Sequence, residues 1–547
     1  MASLRDVLVA ALKSLLRGKS FLQALLTFWS TTSAATSSQK ITTSTAEFLA
    51  EAEKLILGPV TANKLKELSR KLKQQFKDAL MTNPACMLPS YNSQLPTGHE
   101  PGEFLALDVG GSTLRVALVE LRGRTIPGSE SVIVRMDSFK IDNDIRNLSG
   151  RKFFDWMAEK IHQTVAKDSE KGQSPEAPLL MGLAWSFPIE QTSSKGGNLS
   201  GMGKGFLAAD GLLGQDLGEI IKLSCQQKGL HVELSAIVND SSATLLSAAY
   251  ISPSTRFGLI LGTGVNIAGH LPVSTIGRPK YGNRPNSWYE KASHVIVNTE
   301  LGMFGRDVLP LTRWDHLLKK AHPLPDFQPL EHLVSGYYLG EVCRYALLEA
   351  IQQTGVFGGI VPPSLQAPYS LDTETLSFIE ADTSPSLASA IQLFQLRHPS
   401  SHEPTTTDLA FLRTLASHVS RRSASIVASS LFALWELKAE TDRELLSTLS
   451  ESSSSTADGL VSQAEVELKI AQETTTVAFN GSVIENYPGY RENLQGYIDG
   501  LISDATNAED EVVGGGGIRK STGAGLKLMP ARESSLLGAA VALACLS

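Results

Sequence analysis

Phe104-Leu105-Ala106-Leu107-Asp108-Val109-Gly110-Gly111-Ser112-Thr113-Leu114-Arg115-Val116 is the stretch that decides how this chain is read. An apolar run ends in a carboxylate, two glycines follow, and a second apolar run starts at Leu114. That is a strand, a tight turn and a returning strand. Adjacent glycines let a backbone pass close to a bound phosphate. The hydroxyls of Ser112 and Thr113 and the guanidinium of Arg115 stand beside them. An Asp closing a buried strand suits Mg²⁺, held through water because Mg²⁺ keeps much of its hydration. A tight hairpin with a capping Asp accounts for the same residues equally well, so the stretch alone leaves both readings open.

Working outward, residues 258–261 and 265–269 repeat the strand, glycine turn and strand around Gly262, Thr263 and Gly264. Two hairpins of one design hint at two related lobes. Further strands are expected at 179–187, 232–238 and 477–479. Helices are expected at 46–80, ended by Pro84 and Pro89, and at 152–166, 242–250, 331–353, 408–436, 491–502 and 536–545. Residues 447–456 are serine-rich and read as an exposed loop. Alternating strands and helices indicate an α/β architecture.

Composition narrows the class. At roughly 150 residues per domain, 547 residues make three to four modules or two large lobes. Hydrophobic residues are 42% and charged residues 19%, so the bulk is globular. A net charge of −7 argues against a nucleic-acid partner bound by broad phosphate neutralisation. The four cysteines, Cys86, Cys225, Cys343 and Cys545, are far apart with no CxxC. They read as reduced thiols of an intracellular, cytoplasmic protein rather than as a zinc site or a disulfide framework.

The amino-terminal tail stands apart. Leu4, Leu8, Leu12, Leu15, Leu22, Leu26 and Trp29 recur at near-helical spacing among Arg5, Lys13, Arg17 and Lys19, and a hydroxyl-rich stretch runs from Ser30 to Thr45. Lys13 and Arg17 interrupt what would be the apolar core of a secretory leader. Residues 1–29 fit an interfacial membrane helix or a mitochondrial-surface address, and they fit a solvated tail with a helical turn or two as well.

Two phosphate-loop decoys fail. In Gly514-Gly515-Gly516-Gly517-Ile518-Arg519-Lys520-Ser521, Arg519 stands where a GxxxxGK[ST] loop needs glycine. In the run from Gly262, Ile267 stands at the third glycine of a dinucleotide fingerprint.

The opening stretch resembles the first phosphate motif of the hexokinase family, in the actin-like sugar-kinase superfamily. Other motifs of that family follow in order. Ala184-Trp185-Ser186-Phe187-Pro188 and Gly203-Lys204-Gly205-Phe206 resemble its sugar loops, and Val238-Asn239-Asp240-Ser241 its catalytic stretch. Gly262-Thr263-Gly264-Val265-Asn266 resembles the second phosphate motif. Asn298-Thr299-Glu300-Leu301-Gly302 and Gln328-Pro329-Leu330-Glu331 resemble its two sugar-binding glutamate segments. Phe479-Asn480-Gly481-Ser482 and the run from Ser534 to Ala540 resemble the adenosine region.

The resemblance implies a two-lobed α/β fold with a ligand cleft between a small and a large lobe. Residues 101–238, with 537–547 returning, would form the small lobe. Residues 46–100 and 239–536 would form the large one, and residues 1–45 a tail. It implies ATP and Mg²⁺ as cosubstrate and metal. Asp240 would be the general base for a sugar 6-hydroxyl, with Lys204 holding that hydroxyl and offsetting charge. Ser186, Asn239, Asn266, Glu300 and Glu331 would bond the ring hydroxyls. Asp108 would orient the metal. Gly110, Gly111, Ser112, Thr113, Arg115, Gly262, Thr263 and Gly264 would lie at the phosphates, and Gly481, Ser482 and Ser535 at the adenosine side.

The chain also departs from the family. The usual GGTN is GGST, the Thr of WTKGF is Gly203, and two glycines of DGSGxGAA are replaced, one by Leu536. Met87-Leu88-Pro89-Ser90-Tyr91-Asn92, Pro96-Thr97-Gly98 and Ser534-Ser535 before Gly538-Ala539-Ala540 resemble the fungal N-acetylglucosamine kinases, a branch in which such changes belong. That likeness makes N-acetylglucosamine the expected substrate. A kinase for glucose or another hexose, and a catalytically weak regulatory relative, are the alternatives.

Overall fold

The computed structural model describes residues 42–165, 174–202, 206–450, 457–512 and 525–546. The expectations for residues 1–41, for Lys204 with its neighbours Gly203 and Gly205, for residues 451–456 and for the glycine run at 514–517 lie outside these. Among the described residues, no helix is long and apolar enough to cross a membrane.

The chain opens with α1 (Thr45–Ile56) and α2 (Ala62–Thr82) and a short strand, β1 (Leu88–Pro89). Then come β2 (Gly102–Val109), β3 (Thr113–Leu121), β4 (Ser131–Lys140), α3 (Asn143–Arg146), α4 (Arg151–Val165) and β5 (Leu179–Trp185). A hairpin of β6 (Ile189–Gln191) and β7 (Gly197–Leu199), α5 (Leu217–Gln226) and β8 (Val232–Val238) follow. α6 (Asp240–Ile251) leads to β9 (Thr255–Leu261), β10 (Val265–Pro272), α7 (Asn286–Lys291) and β11 (His294–Asn298). A helical block holds α8 (Arg313–Ala321), α9 (Glu331–Val334), α10 (Gly336–Thr354), α11 (Thr373–Ala381), α12 (Ala388–Arg397), α13 (Thr406–Ser450) and α14 (Ala457–Gln472). The chain finishes with β12 (Thr474–Asn480), α15 (Ser482–Asn486), α16 (Tyr490–Val512), β13 (Gly525–Pro530) and α17 (Ser534–Ala544).

Two sheets share one plan. The first has the order β4-β3-β2-β5-β8, the second β1-β11-β10-β9-β12-β13. In each, three strands form an antiparallel meander and two parallel strands continue from its first member, β2 or β9; the second sheet adds β1 antiparallel to β11 at its edge. The glycine hairpins seen in the sequence are the equivalent β2–β3 and β9–β10 pairs.

α6 and α17 lie between the sheets, in a core that takes Phe104, Ala117 and Val238 from the first sheet and Ala268 and Ile296 from the second. Both helices are rich in small residues, which permits very close approach. A Cβ on Gly538 would stand 2.1 Å from Ala243 O, one on Gly258 2.3 Å from Ser241 O, and one on Gly182 2.3 Å from Ala539 O.

Several sequence expectations need correction. Residues 46–80 are two helices, not one. Pro59, in a 3-10 turn at Gly58–Val60, has no N–H to continue α1. The helix expected at 331–353 is broken at Ser335, whose backbone is extended (φ −86°, ψ 154°). The helix expected at 408–436 runs for 45 residues, so residues 447–450 are its last turn rather than loop.

Behind the second sheet lies a buried ionic cluster. Glu467 Oε2 accepts from Arg256 Nε at 2.5 Å and pairs with Lys438 Nζ at 2.9 Å. Lys438 Nζ also meets Asp442 Oδ2 at 2.8 Å, and His294 Nε2 lies 3.0 Å from Asp442 Oδ1. His270 stacks on His294 with ring centroids 5.0 Å apart. The ligand atoms of His294, Asp442 and Glu467 are all within 4.8 Å of one another, a spacing a metal ion could use. The Lys438 ammonium already fills the place between the two carboxylates, and with Arg256 it neutralises them.

Candidate active site

β2 delivers Asp108 to the carboxyl end of the first sheet, where it is 8% exposed. The Gly110 N–H donates to Thr113 O at 3.1 Å and closes the turn. Ser112 O accepts from Ile141 N at 2.8 Å and Gly111 O from Arg146 Nη2 at 2.9 Å, so the loop around α3 braces the turn from outside. Arg115 donates from Nε at 2.9 Å and Nη2 at 2.5 Å to Asp108 Oδ2, and from Nη1 to Glu533 Oε2 at 2.6 Å. Burial pushes the Asp108 carboxyl up, Arg115 opposes the rise, and Glu533 adds to it. Two carboxylates facing one guanidinium leave one negative charge over, which fits a divalent cation held partly by its own water. In this structure the fork of Arg115, expected at the phosphates, is engaged by these two carboxylates.

β8 ends at Val238, and Asn239 caps α6, accepting through Oδ1 from Ser241 N at 3.0 Å and Ser241 Oγ at 2.6 Å. Asp240 is the first helical residue, and its Oδ1 accepts from Ser241 N at 2.7 Å. The amino end of a helix carries partial positive charge that favours a carboxylate there.

The second sheet reaches the same place. Asn266 on β10 donates from Nδ2 to Asn239 Oδ1 at 3.3 Å and to Asn298 Oδ1 at 2.8 Å. Asn298 Nδ2 in turn donates to Glu300 Oε1 at 2.8 Å. Glu300 is held in the left-handed region (φ 54°), and burial pushes its carboxyl up while Asn298 opposes the rise. Glu331 opens α9 and accepts from Val265 N at 3.0 Å; a Cβ on Gly264 would stand 2.9 Å from its Oε2. Ser186 follows β5, and its N–H donates to Val109 O at 3.3 Å, which sets it beside the first turn. Phe206, just past Lys204, packs edge-on against Phe187 with centroids 5.0 Å apart.

The turn at 262–264 rests on the amino end of α10. Gly336 N donates to Gly262 O at 2.8 Å and Tyr337 N to Thr263 O at 3.2 Å. Thr263 itself is exposed. Gly481 has φ 131°, and a Cβ there would stand 2.4 Å from Leu261 O. This residue must be glycine because both the dihedral and the space forbid a side chain. Ser482 sits over the turn: a Cβ on Gly262 would stand 3.2 Å from Ser482 N. At the start of α17, Ser534 Oγ and Thr244 Oγ1 share a hydrogen bond at 2.9 Å, and Ser535 is only 9% exposed. Leu536, which replaces a family glycine, is fully buried in the core between the sheets.

Asn239, Asp240, Asn266, Glu300 and Glu331 thus converge, with Ser186 and Asp108 at the adjoining strand ends. Asn298 and Glu533 were not singled out from the sequence. Asn298 opens one recognised motif segment and Glu533 directly precedes another, and a polar side chain at each place is the available signal.

Two hexokinase family models match the chain, one over residues 56–250 and the other over residues 256–545. The chain belongs to the hexokinase family. As a hexokinase-family member it is a sugar phosphotransferase with a hydroxyl acceptor. It is 32% identical to Hexokinase-1 of Nicotiana tabacum over 426 residues, 76% of this chain and 77% of that protein. It is 28% identical to Hexokinase-2 of Candida albicans over 458 residues, 83% of each. A Schistosoma mansoni hexokinase solved in complex with glucose matches it with a TM-score of 0.69 at 24% identity, covering 92% of this chain and 100% of that one. A second hexokinase crystal structure gives 0.67 at 25%, covering 91% and 99%. The α/β hexokinase fold expected from the sequence is the fold observed.

Proposed function

We propose that this chain transfers the γ-phosphoryl group of ATP to the 6-hydroxyl of a hexose, with glucose the first candidate. One observation carries the reading: the unbroken run of side chains that starts at Asn239, next to Asp240, and passes through Asn266 and Asn298 to Glu300. Such a row of fixed donors and acceptors suits the hydroxyls of a pyranose ring. Buried polar groups left unmatched by a wrong sugar cost enough to discriminate. The names of its relatives favour a hexose over an amino sugar.

In this reading Asp240 accepts the 6-hydroxyl proton as that oxygen attacks the γ-phosphorus and ADP leaves in line. Lys204 holds the hydroxyl and offsets the developing charge. Ser186, Asn239, Asn266, Glu300 and Glu331 fix the ring. The two glycine turns, with Arg115 and Thr263, face the phosphates, and Gly481, Ser482 and Ser535 the adenosine side. Mg²⁺, when bound near Asp108, neutralises charge on the transferring phosphates. Closure of the lobes drawn at 101–238 and 239–536 would exclude competing water. Residues 1–29 as a contact with the mitochondrial surface is a further proposal, tested by the distribution of the full chain and of a chain lacking them.

The test is ADP release from ATP and Mg²⁺ with glucose, fructose, mannose, glucosamine and N-acetylglucosamine. Glucose or another hexose is expected to stimulate most, and D240N to abolish release while sugar still binds. Preference for N-acetylglucosamine would restore the amino-sugar reading. Stimulation by none of the five would end the proposal.

A further inference from the structure

α15 has only five residues and no side-chain cap on its first turn. A helix so short is not stable by itself and takes its place from tertiary contacts. Its own Val483 and Ile484 are buried. At its far end the Tyr487 hydroxyl donates to Glu380 Oε1 on α11 at 2.5 Å, and Ser377 Oγ on the same helix donates to Asn486 O at 3.4 Å. α11 is itself tied to the second phosphate turn. Thr373 Oγ1 donates to Gly336 O at 2.6 Å and accepts from Gly340 N at 3.0 Å, and Gly336 N and Tyr337 N hold the carbonyls of residues 262 and 263. The contacts close a ring: the 262–264 turn, α10, α11, Glu380, Tyr487, α15, and Ser482 back over Gly262.

We propose that Glu380 and Tyr487 are a positioning pair for the nucleotide, fixing α15 and hence Ser482 against the 262–264 turn. This rests on the reading that Gly481 and Ser482 face the nucleotide. Two elements face the pair. α10 brings Cys343, and α13 brings Arg413 and Ser420. Burial pushes the Glu380 carboxyl up to about 7, with Tyr487, Arg413 and Ser420 opposing the rise, so it changes charge near neutral pH. A phenol bonds a carboxylate more strongly than a neutral carboxyl. The anchor of α15 therefore tightens as pH rises through about 7.

The test varies ATP at saturating sugar for wild type, Y487F, E380Q and S482A from pH 6 to 8. Y487F is expected to raise KM for ATP about 5–30-fold with kcat within about twofold, the signature of lost uniform binding. Wild-type KM for ATP should fall with rising pH. E380Q, which keeps an acceptor for the phenol, should stay near the low-pH wild-type value and lose the part of the pH dependence not due to ATP itself. S482A should raise KM for ATP. If S482A does so while Y487F does not, or while wild-type and E380Q profiles superpose, the positioning role is overturned and the nucleotide reading stands. If S482A leaves KM for ATP unchanged, the nucleotide reading falls and this inference with it. A lowered melting temperature in Y487F without a change in KM for ATP would mark a merely structural bond and also overturn it.

Discussion

Arg115 places two nitrogens on a single oxygen of Asp108, Nε at 2.9 Å and Nη2 at 2.5 Å. Only a planar fork can do this while its third nitrogen reaches Glu533. R115K keeps the charge and loses the fork. It should lower kcat/KM for ATP about 10–100-fold, as expected for the loss of a charge-assisted, two-pronged contact. Steady-state kinetics with sugar saturating would measure it. Unchanged kinetics would separate this pair from the phosphate site.

Asn298 joins Asn266 to Glu300 and was not singled out in the sequence. N298A would leave both neighbours short of a partner, at about 1–3 kcal/mol for each unsatisfied buried group. The expected outcome is a fall in kcat/KM for sugar of at least about 30-fold, since the two groups together make about 2 kcal/mol or more and each 1.4 kcal/mol is about tenfold, with KM for ATP unchanged. N298D is not expected to rescue, because it sets a second carboxylate against Glu300.

Gly538 lets α17 pass against α6. Alanine is ordinarily the better helix residue by about 1 kcal/mol. Here its Cβ would stand 2.1 Å from Ala243 O, a backbone atom that cannot swing aside. G538A should therefore destabilise by about 1–3 kcal/mol, the usual range for overpacking. A denaturant midpoint at or above wild type would refute the close-approach argument.

Burial holds His270 well below the ordinary histidine range and lowers His294 as well, although Glu467 and Asp442 pull upward and Lys438 and Arg256 push down. A histidine depressed in the folded state makes the unfolded chain bind more protons on acidification. Its contribution is complete above about 6.5, the unfolded value, and is lost as pH falls below it. His332, lowered to about 4, acts in the same direction. The melting temperature should drop from pH 7.5 to 5.5, with a shallower slope in H270Q. Equal slopes would remove His270 from the account.

Much of the architecture was legible. The two glycine hairpins were read as equivalent, and they head two sheets of one plan. Residues a few positions apart set a strand, a turn and a return, so period and turn chemistry suffice. Element ends were less legible. Pro59 breaks the helix expected at 46–80, and Ser335 carries no local signal for the break at 335. The long α13 ran past its expected end because tertiary burial, with Leu437 and Leu445 packed inward, outweighs its serine-rich close.

The sequence by itself determined the family, the order of its motifs and the residue types at each. Those depend on local spacing, which a linear chain records directly. Tertiary structure alone decided which side chains meet. Arg115 is held by Glu533 from 418 positions away, and Tyr487 by Glu380 from 107. Leu536, an apparent obstruction when read in line, turns into the core because α17 is clamped between two sheets. Contacts of that separation form only when the whole chain has closed, and no local pattern encodes them.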